Sequence, residues 1–278
     1  MSGARGGSPV PELVRVERRG AVALLVFDDP ERRNAMTEAM GRALASAVAG
    51  LAADASVRAA VLTGAGSAFS AGGDLDMIEE RSRAGREEPG PAGRAHSLAF
   101  MRDFYRLFLS VRELPCPSIA AIQGPAIGAG LAVALACDLR VAGDTARFAT
   151  AFARVGYSGD FGGSWFLTQL VGTAKARELY YTAEILDAPA ALALGLVNRV
   201  VPDARLEEET LALATRLARG PRVALRYMKR NMNAAEAGTL KDSLDLEAWH
   251  HTRTGFTEDH KEAAQAFMAK REPVFRGR

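Results

Sequence analysis

The stretch Ser118-Ile119-Ala120-Ala121-Ile122-Gln123-Gly124-Pro125-Ala126-Ile127-Gly128-Ala129-Gly130 decides the fold. Ser118 to Gln123 is a short apolar run, preceded by Pro117 and ended by Gly124-Pro125, and reads as a buried strand. The small, glycine-rich residues after it open a helix. Working outward, Val57 to Thr63 is a second such strand, ended by Gly64-Ala65-Gly66, and Leu139 to Ala142 is a third. Helical segments lie between them, so the pattern is β-α-β-α-β, an α/β layer arrangement.

Toward the start, Leu13 to Glu17 and Ala21 to Phe27 flank Arg18-Arg19-Gly20 and predict a hairpin. Thr37 can cap a helix whose apolar face is Met40, Leu44, Ala47, Val48 and Leu51. After Trp165 the chain reads as mostly helical. Leu206, Leu213 and Leu217 share a face with Ala214 and Ala218, and Gly220-Pro221 stops that helix. Three more helices are expected between Ala224 and Lys270. The organisation predicted is an α/β core over 10–202 and a C-terminal helical subdomain over 203–278. Arg81 to Arg94 mixes Arg, Glu, Gly and Pro without periodicity and reads as a mobile surface loop, either a flap over a substrate channel or a solvated insertion.

Composition narrows the function classes. The chain has 278 residues, 48% of them hydrophobic, enough for a sizeable core. With 35 basic and 33 acidic residues the net charge is +2, so nucleic acid is not expected as a partner. Cys116 and Cys137 sit beside apolar sequence without metal or CxxC spacing; they read as buried reduced thiols, which suits a cytoplasmic protein. Met1 to Val10 lacks an apolar segment of the secretory kind, and Ala126 to Cys137 is too short to span a bilayer. His96, His250, His251 and His260 show no nucleophile or metal spacing, and no metal is expected.

Two segments share one chemical logic: Phe69-Ser70-Ala71-Gly72-Gly73-Asp74-Leu75 and Gly124 to Gly130, each following a strand. Small residues let a ligand approach the backbone closely. A helix start leaves N–H groups without intrahelical partners. Two such groups converging on one carbonyl oxygen would form an oxyanion hole. The structural alternative is close helix–strand packing or an ordinary turn.

Arg33-Asn34-Ala35-Met36, Ala68 to Leu75, and Gly124 to Gly130 ending in Ala136-Cys137-Asp138 resemble the signature segments of the crotonase (enoyl-CoA hydratase/isomerase) superfamily. Asp259-His260-Lys261-Glu262-Ala263, with Phe267 and Lys270-Arg271-Glu272-Pro273-Val274-Phe275, resembles its C-terminal helix. The resemblance runs from about Leu13 to Phe275. It implies a crotonase-like spiral of ββα units, a C-terminal helical trimerisation region, and homotrimers or hexamers. It implies an acyl-CoA thioester substrate, with coenzyme A part of the substrate rather than a cofactor. The Gly73 and Ala129 amides are then expected to polarise the thioester carbonyl. The expected substrate contacts are Arg33, Ala35, Ala71, Gly72, Asp74, Leu75 and Gly128, with Ala71 against the adenine. Phe267 and Lys270 are expected to reach the CoA nucleotide, in some members from a neighbouring subunit. Where the family often has a lysine after the Asp74 position, this chain has Asp76, so Arg33 is the candidate for that contact.

The pattern breaks at the proton-transfer positions. The two glutamates of the family's hydratases align with Ala132 and Phe152, neither of which carries a proton. Tyr157-Ser158-Gly159-Asp160-Phe161-Gly162-Gly163-Ser164-Trp165 instead resembles the Pro-Asp-x-Gly-Gly-x-Trp stretch of family isomerases, including the epoxyphenylacetyl-CoA isomerase type, with Gly159 replacing the proline. Asp160 is therefore the candidate acid/base, with burial expected beside Phe152, Phe161 and Trp165; its competing reading is a helix N-cap. Tyr157 and Ser158 are candidate hydroxyls near the acyl group. Three readings follow: an enoyl-CoA isomerase, a hydratase that holds water by other means, and a non-catalytic acyl-CoA binder.

Overall fold

The computed structural model describes residues 12–74, 79, 83 and 90–278. Its strands are Val14–Arg19 (β1), Val22–Phe27 (β2), Ala59–Gly64 (β3), Ser118–Ile122 (β4), Pro125–Ile127 (β5), Leu139–Gly143 (β6), Arg147–Ala149 (β7), Leu186–Asp187 (β8) and Arg199–Val201 (β9). β1 and β2 form the expected antiparallel hairpin, Val14 opposite Phe27. The other strands of the main sheet join in parallel, in the order β1-β2-β3-β4-β6-β9. A second sheet, β5-β7-β8, stands beside it. The residues Pro125 to Ile127 are thus a short strand ahead of the helix that the glycine-rich segment was expected to open; β7 gives them a pairing partner that local composition does not reveal.

Every residue of β2 is buried, as in a strand covered on both faces. Ala23, Leu25 and Phe27 pack into one apolar cluster with Met40, Leu44 and Phe108. Val22, Leu24 and Val26 point the other way, into a cluster with Leu206, Leu213, Ala214 and Ala218. The period of two along the strand thereby builds two cores. Glu38–Ala53 (α1) supplies the Met40/Leu44 face, and Thr37 caps it by accepting from the Met40 N–H at 3.1 Å. Pro91–Leu109 (α2) begins with proline in its first turn, where the missing N–H costs nothing. That corrects the loop expected over Arg81 to Arg94: Pro91 to Arg94 are helical, and all of its earlier residues but Arg83 and Gly90 lie outside the described ones.

Ala129–Ala136 (α3) is apolar all round and completely buried, a helix of the core. Gly163–Thr182 (α4) is interrupted at Gly172, where φ is 76°. Ala188–Ala193 (α5) and Leu206–Ala218 (α6) follow, α6 covering the outer face of the main sheet. Arg222–Ala235 (α7), Leu240–Gly255 (α8) and Glu258–Met268 (α9) are the three expected C-terminal helices. Lys229 ties α7 to the core. It is buried, pairs with Asp138 at 2.9 Å, and donates to the Cys116 carbonyl at 3.3 Å. The chain end returns to the body, where Asp259 accepts from the Arg276 N–H at 2.6 Å and the Gly277 N–H at 2.9 Å.

Both cysteines are free and buried; burial pushes the Cys116 thiol up to about 11 and Cys137 up to about 12. No helix among the described residues is long and apolar enough to cross a membrane. The ββα spiral with its helical C-terminal region is the crotonase-like fold that the motifs implied.

Candidate active site

A cavity of about 420 Å³ opens where the two glycine-rich segments meet α2 and the turn before α4. Ala71, Gly72 and Gly73 line one side, and Ile127, Gly128 and Ala129 the next. These segments are held in register by the Ser70 N–H on the Pro125 carbonyl and the Ile127 N–H on the Ser70 carbonyl, each at 3.1 Å. Gly72 makes their approach possible. Its φ is +91°, and a Cβ there would lie 2.6 Å from the Ile127 oxygen and 3.5 Å from the Ala129 nitrogen. The Met36 N–H donates to the Gly72 carbonyl at 2.8 Å. In that parallel bridge the Gly73 N–H points away from Met36. Ala129 is the first residue of α3, so its N–H has no acceptor within the helix.

A buried polar frame stiffens this region. The Asn34 side chain accepts from the Asp29 N–H and donates to the Ala65 and Ala68 carbonyls. The Gln123 amide donates to the Gly64 and Ala68 carbonyls, and the Ser70 hydroxyl to the Asn34 carbonyl. Fully partnered networks of this kind fix one geometry.

Asp160 lies on the far wall with Phe152, Tyr157, Ser158 and Phe161. It is no helix cap: Gly162 holds that position, and only the Asp160 backbone carbonyl meets the helix, accepting from the Gly163 N–H at 2.9 Å. Its Oδ1 is buried and has no hydrogen-bond partner. Burial alone pushes its carboxyl up to about 7. Phe161 anchors the turn. It sits at φ +46°, a strained value for a bulky residue, and is held by Tyr105, Phe104 and Phe108 at ring separations of 4.8, 5.2 and 5.3 Å. Trp165, expected beside Asp160, instead packs on Phe166 and under the Arg112 guanidinium, outside the cavity wall.

Gly73, Ala129, Asp160, Ala71, Gly72 and Gly128 thus meet around one cavity. The other expected contacts do not line it. Arg33 is exposed, with its carbonyl accepting from the Ala71 N–H at 2.9 Å; Ala35 is buried behind the wall. Asp74 is buried and paired with Arg32 at 2.8 Å. Leu75 and Asp76 lie outside the described residues. Phe267 is 83% exposed and Lys270 is exposed, both away from this chain's cavity. Met101, Phe104 and Tyr105 were not foreseen. Their three-to-four spacing on α2, continued by Phe108, is the signal that pointed inward. Thr150 was also missed, and nothing local to it marks a cavity wall.

The enoyl-CoA hydratase/isomerase family model matches residues 17–278. A Thermus thermophilus protein, assigned by its name only provisionally to the enoyl-CoA hydratases, is 39% identical over 263 residues, covering 95% of this chain and all of its own. The 1,2-epoxyphenylacetyl-CoA isomerase of Escherichia coli is 35% identical, with 92% of this chain and 95% of the relative covered. Among solved structures, an enoyl-CoA hydratase from Polaromonas superposes with a TM-score of 0.86 at 33% identity, covering 95% and 99% of the two chains. The chain belongs to the enoyl-CoA hydratase/isomerase family.

Proposed function

We propose that this enzyme shifts a carbon–carbon double bond in an acyl-CoA thioester, with Asp160 as the single proton carrier. The observation that carries the reading is the cavity's inventory. Asp160 is its only carboxyl group among the described lining residues, and Ala132 and Phe152 carry none. In this reading the Gly73 and Ala129 amides hold the thioester oxygen. Asp160 takes a proton from the carbon next to the thioester of a 3-enoyl chain. The electrons move into the carbonyl, and the enolate is stabilised by the two amides. The same carboxylic acid returns the proton two carbons further out, leaving the double bond conjugated and the carboxylate restored. One carboxyl suffices because nothing is added. Hydration would ask for a second group to orient and split a water molecule.

The apolar wall of Met101, Phe104, Tyr105 and Phe161 supports an aliphatic or aromatic acyl group. The exposed Leu240, Phe256, Phe267 and Met268 of the C-terminal helices support association of copies into a trimer or hexamer, which light scattering would read directly. Reduced, high-pKa thiols support a cytoplasmic setting. The test of the chemistry is Asp160→Asn assayed with 3-enoyl-CoA and 2-enoyl-CoA. Isomerisation is expected to fall about a thousandfold with CoA affinity retained. Unchanged isomerisation would remove Asp160 from the mechanism. Efficient hydration by the wild-type enzyme would favour the hydratase reading, and binding without turnover a non-catalytic acyl-CoA binder.

A further inference from the structure

Tyr180 stands behind Asp160 for a reason visible in the chain path. In an unbroken helix Gly163 and Tyr180 would be about 25 Å apart. The break at Gly172 folds the second half of α4 back, and the Tyr180 phenol returns to the turn that carries Asp160. A Cβ on Gly159 would lie 3.0 Å from the phenol ring, and one on Gly163 only 2.8 Å from its hydroxyl oxygen and 3.2 Å from the Ala132 methyl. Gly159, at φ +119°, is thus both conformationally and sterically fitted to this ring. Phe152 stacks on Tyr180 at 5.7 Å with planes 24° apart. Phe152 and Ala132, the two positions without an ionisable group, thus lie against the ring and against Gly163 respectively.

The hydroxyl is buried and has no hydrogen-bond partner of normal geometry. Asp160 Oδ1 is in the same condition, and two orphaned, mutually complementary atoms at one turn are uncommon in a folded protein. The Asp160 charge reaches the phenol: burial pushes the phenol up to about 12, that charge adds to the rise, and the nearby Ser164 hydroxyl opposes it. The other titratable groups around Asp160 are Tyr105 from α2 and Tyr157 from the preceding loop. No charged side chain among the described residues contributes to the Asp160 shift.

We propose that Tyr180 is a positioning residue for Asp160, its hydroxyl donating to the inner carboxylate oxygen Oδ1 when Asp160 is ionised. The inference rests on Asp160 being the proton carrier. It assigns the hydroxyl two consequences: the carboxylate is held in one orientation toward the acyl chain, and its proton affinity is kept from rising as far as burial alone would drive it.

Tyr180→Phe removes the hydroxyl and keeps the ring stacked on Phe152. Two readouts apply: the carboxyl carbon titration of Asp160 in protein labelled with 13C-aspartate, assigned by its loss in Asp160→Asn, and the pH profile of kcat/KM. Both midpoints are expected to move up by half a pH unit or more, with kcat about tenfold lower and the melting temperature no lower than wild type. Replacing Tyr180 with 3-fluorotyrosine, a stronger donor, is expected to move both midpoints down. Superimposable titrations and profiles for wild type and both variants would overturn the pairing. If Asp160→Asn still isomerises, the functional reading fails, and the carbon titration alone decides the pairing. If Asp160→Asn is inactive and the Tyr180 variants titrate as wild type, only the pairing fails.

Discussion

Asp138 and Asp160 are both partly withdrawn from water at the ends of secondary elements, and they live in opposite electrostatic circumstances. Asp138 follows α3 and accepts from the Ser118 N–H at 2.7 Å, the Ser118 hydroxyl at 2.9 Å and the Lys229 ammonium at 2.9 Å. Asp160 precedes α4 and receives nothing on its buried oxygen. The first carboxylate joins β4 to α7 and is spent on structure. The second has no charged partner to offset its burial, so its proton affinity moves into the range where a proton can be taken and given back near neutrality. The same residue type is a fastener at Asp138 and, in the proposed mechanism, a reagent at Asp160, and the supply of donors separates the two.

Exchanging each carboxyl for an amide is the most direct way to break this comparison. Asp160→Asn is expected to remove about three orders of magnitude in turnover, and Asp138→Asn to leave kcat within about threefold at a temperature where both variants are folded. Next in size is the amide cradle, which sharpens the contrast by altering the site without touching a carboxyl. In Gly72→Ala the new methyl collides with the Ile127 carbonyl and separates the two segments, so kcat should fall about a hundredfold, with circular dichroism confirming a folded chain.

In stability the order of the two aspartates reverses. Asp138→Asn leaves the Lys229 ammonium, only 7% exposed, without its counter-charge, and should cost about 3 kcal/mol in urea titrations at pH 7. Asp160→Asn should do the opposite. The folded protein keeps the Asp160 proton up to about pH 7, whereas the unfolded chain releases it near 3.8. Between those values the folded state binds more protons, so stability declines as pH rises through the window. The amide removes that decline. It should raise stability by about 2 kcal/mol at pH 8.5, half the limiting value because water reaches the cavity, and by less at pH 5. Equal gains at both pH values would show that burial of the charge is not the cause. The same titration predicts that kcat/KM climbs with pH to a plateau above about 7, as the carboxylate form becomes available.

Much of this was legible residue by residue. The hairpin around Gly20, the Thr37 cap, the parallel strands and the C-terminal helices follow from periods of two and three-to-four and from glycine and proline punctuation. The two glycine-rich segments pointed to one cavity because only small residues allow backbones to close to the distances seen at Gly72. The role of Phe161 was not legible, since nothing local announces a strained φ that three aromatic rings hold in place.

The sequence by itself determined the alternation of strand and helix, the small residues at the ends of β3 and β4, and the absence of ionisable groups at Ala132 and Phe152, because these are properties of neighbours along the chain. Tertiary structure decided whether Asp160 would be a cap or an orphan, and which distant residue would stand behind it. Those outcomes depend on burial and on the fold-back at Gly172, which join atoms that the linear order keeps apart.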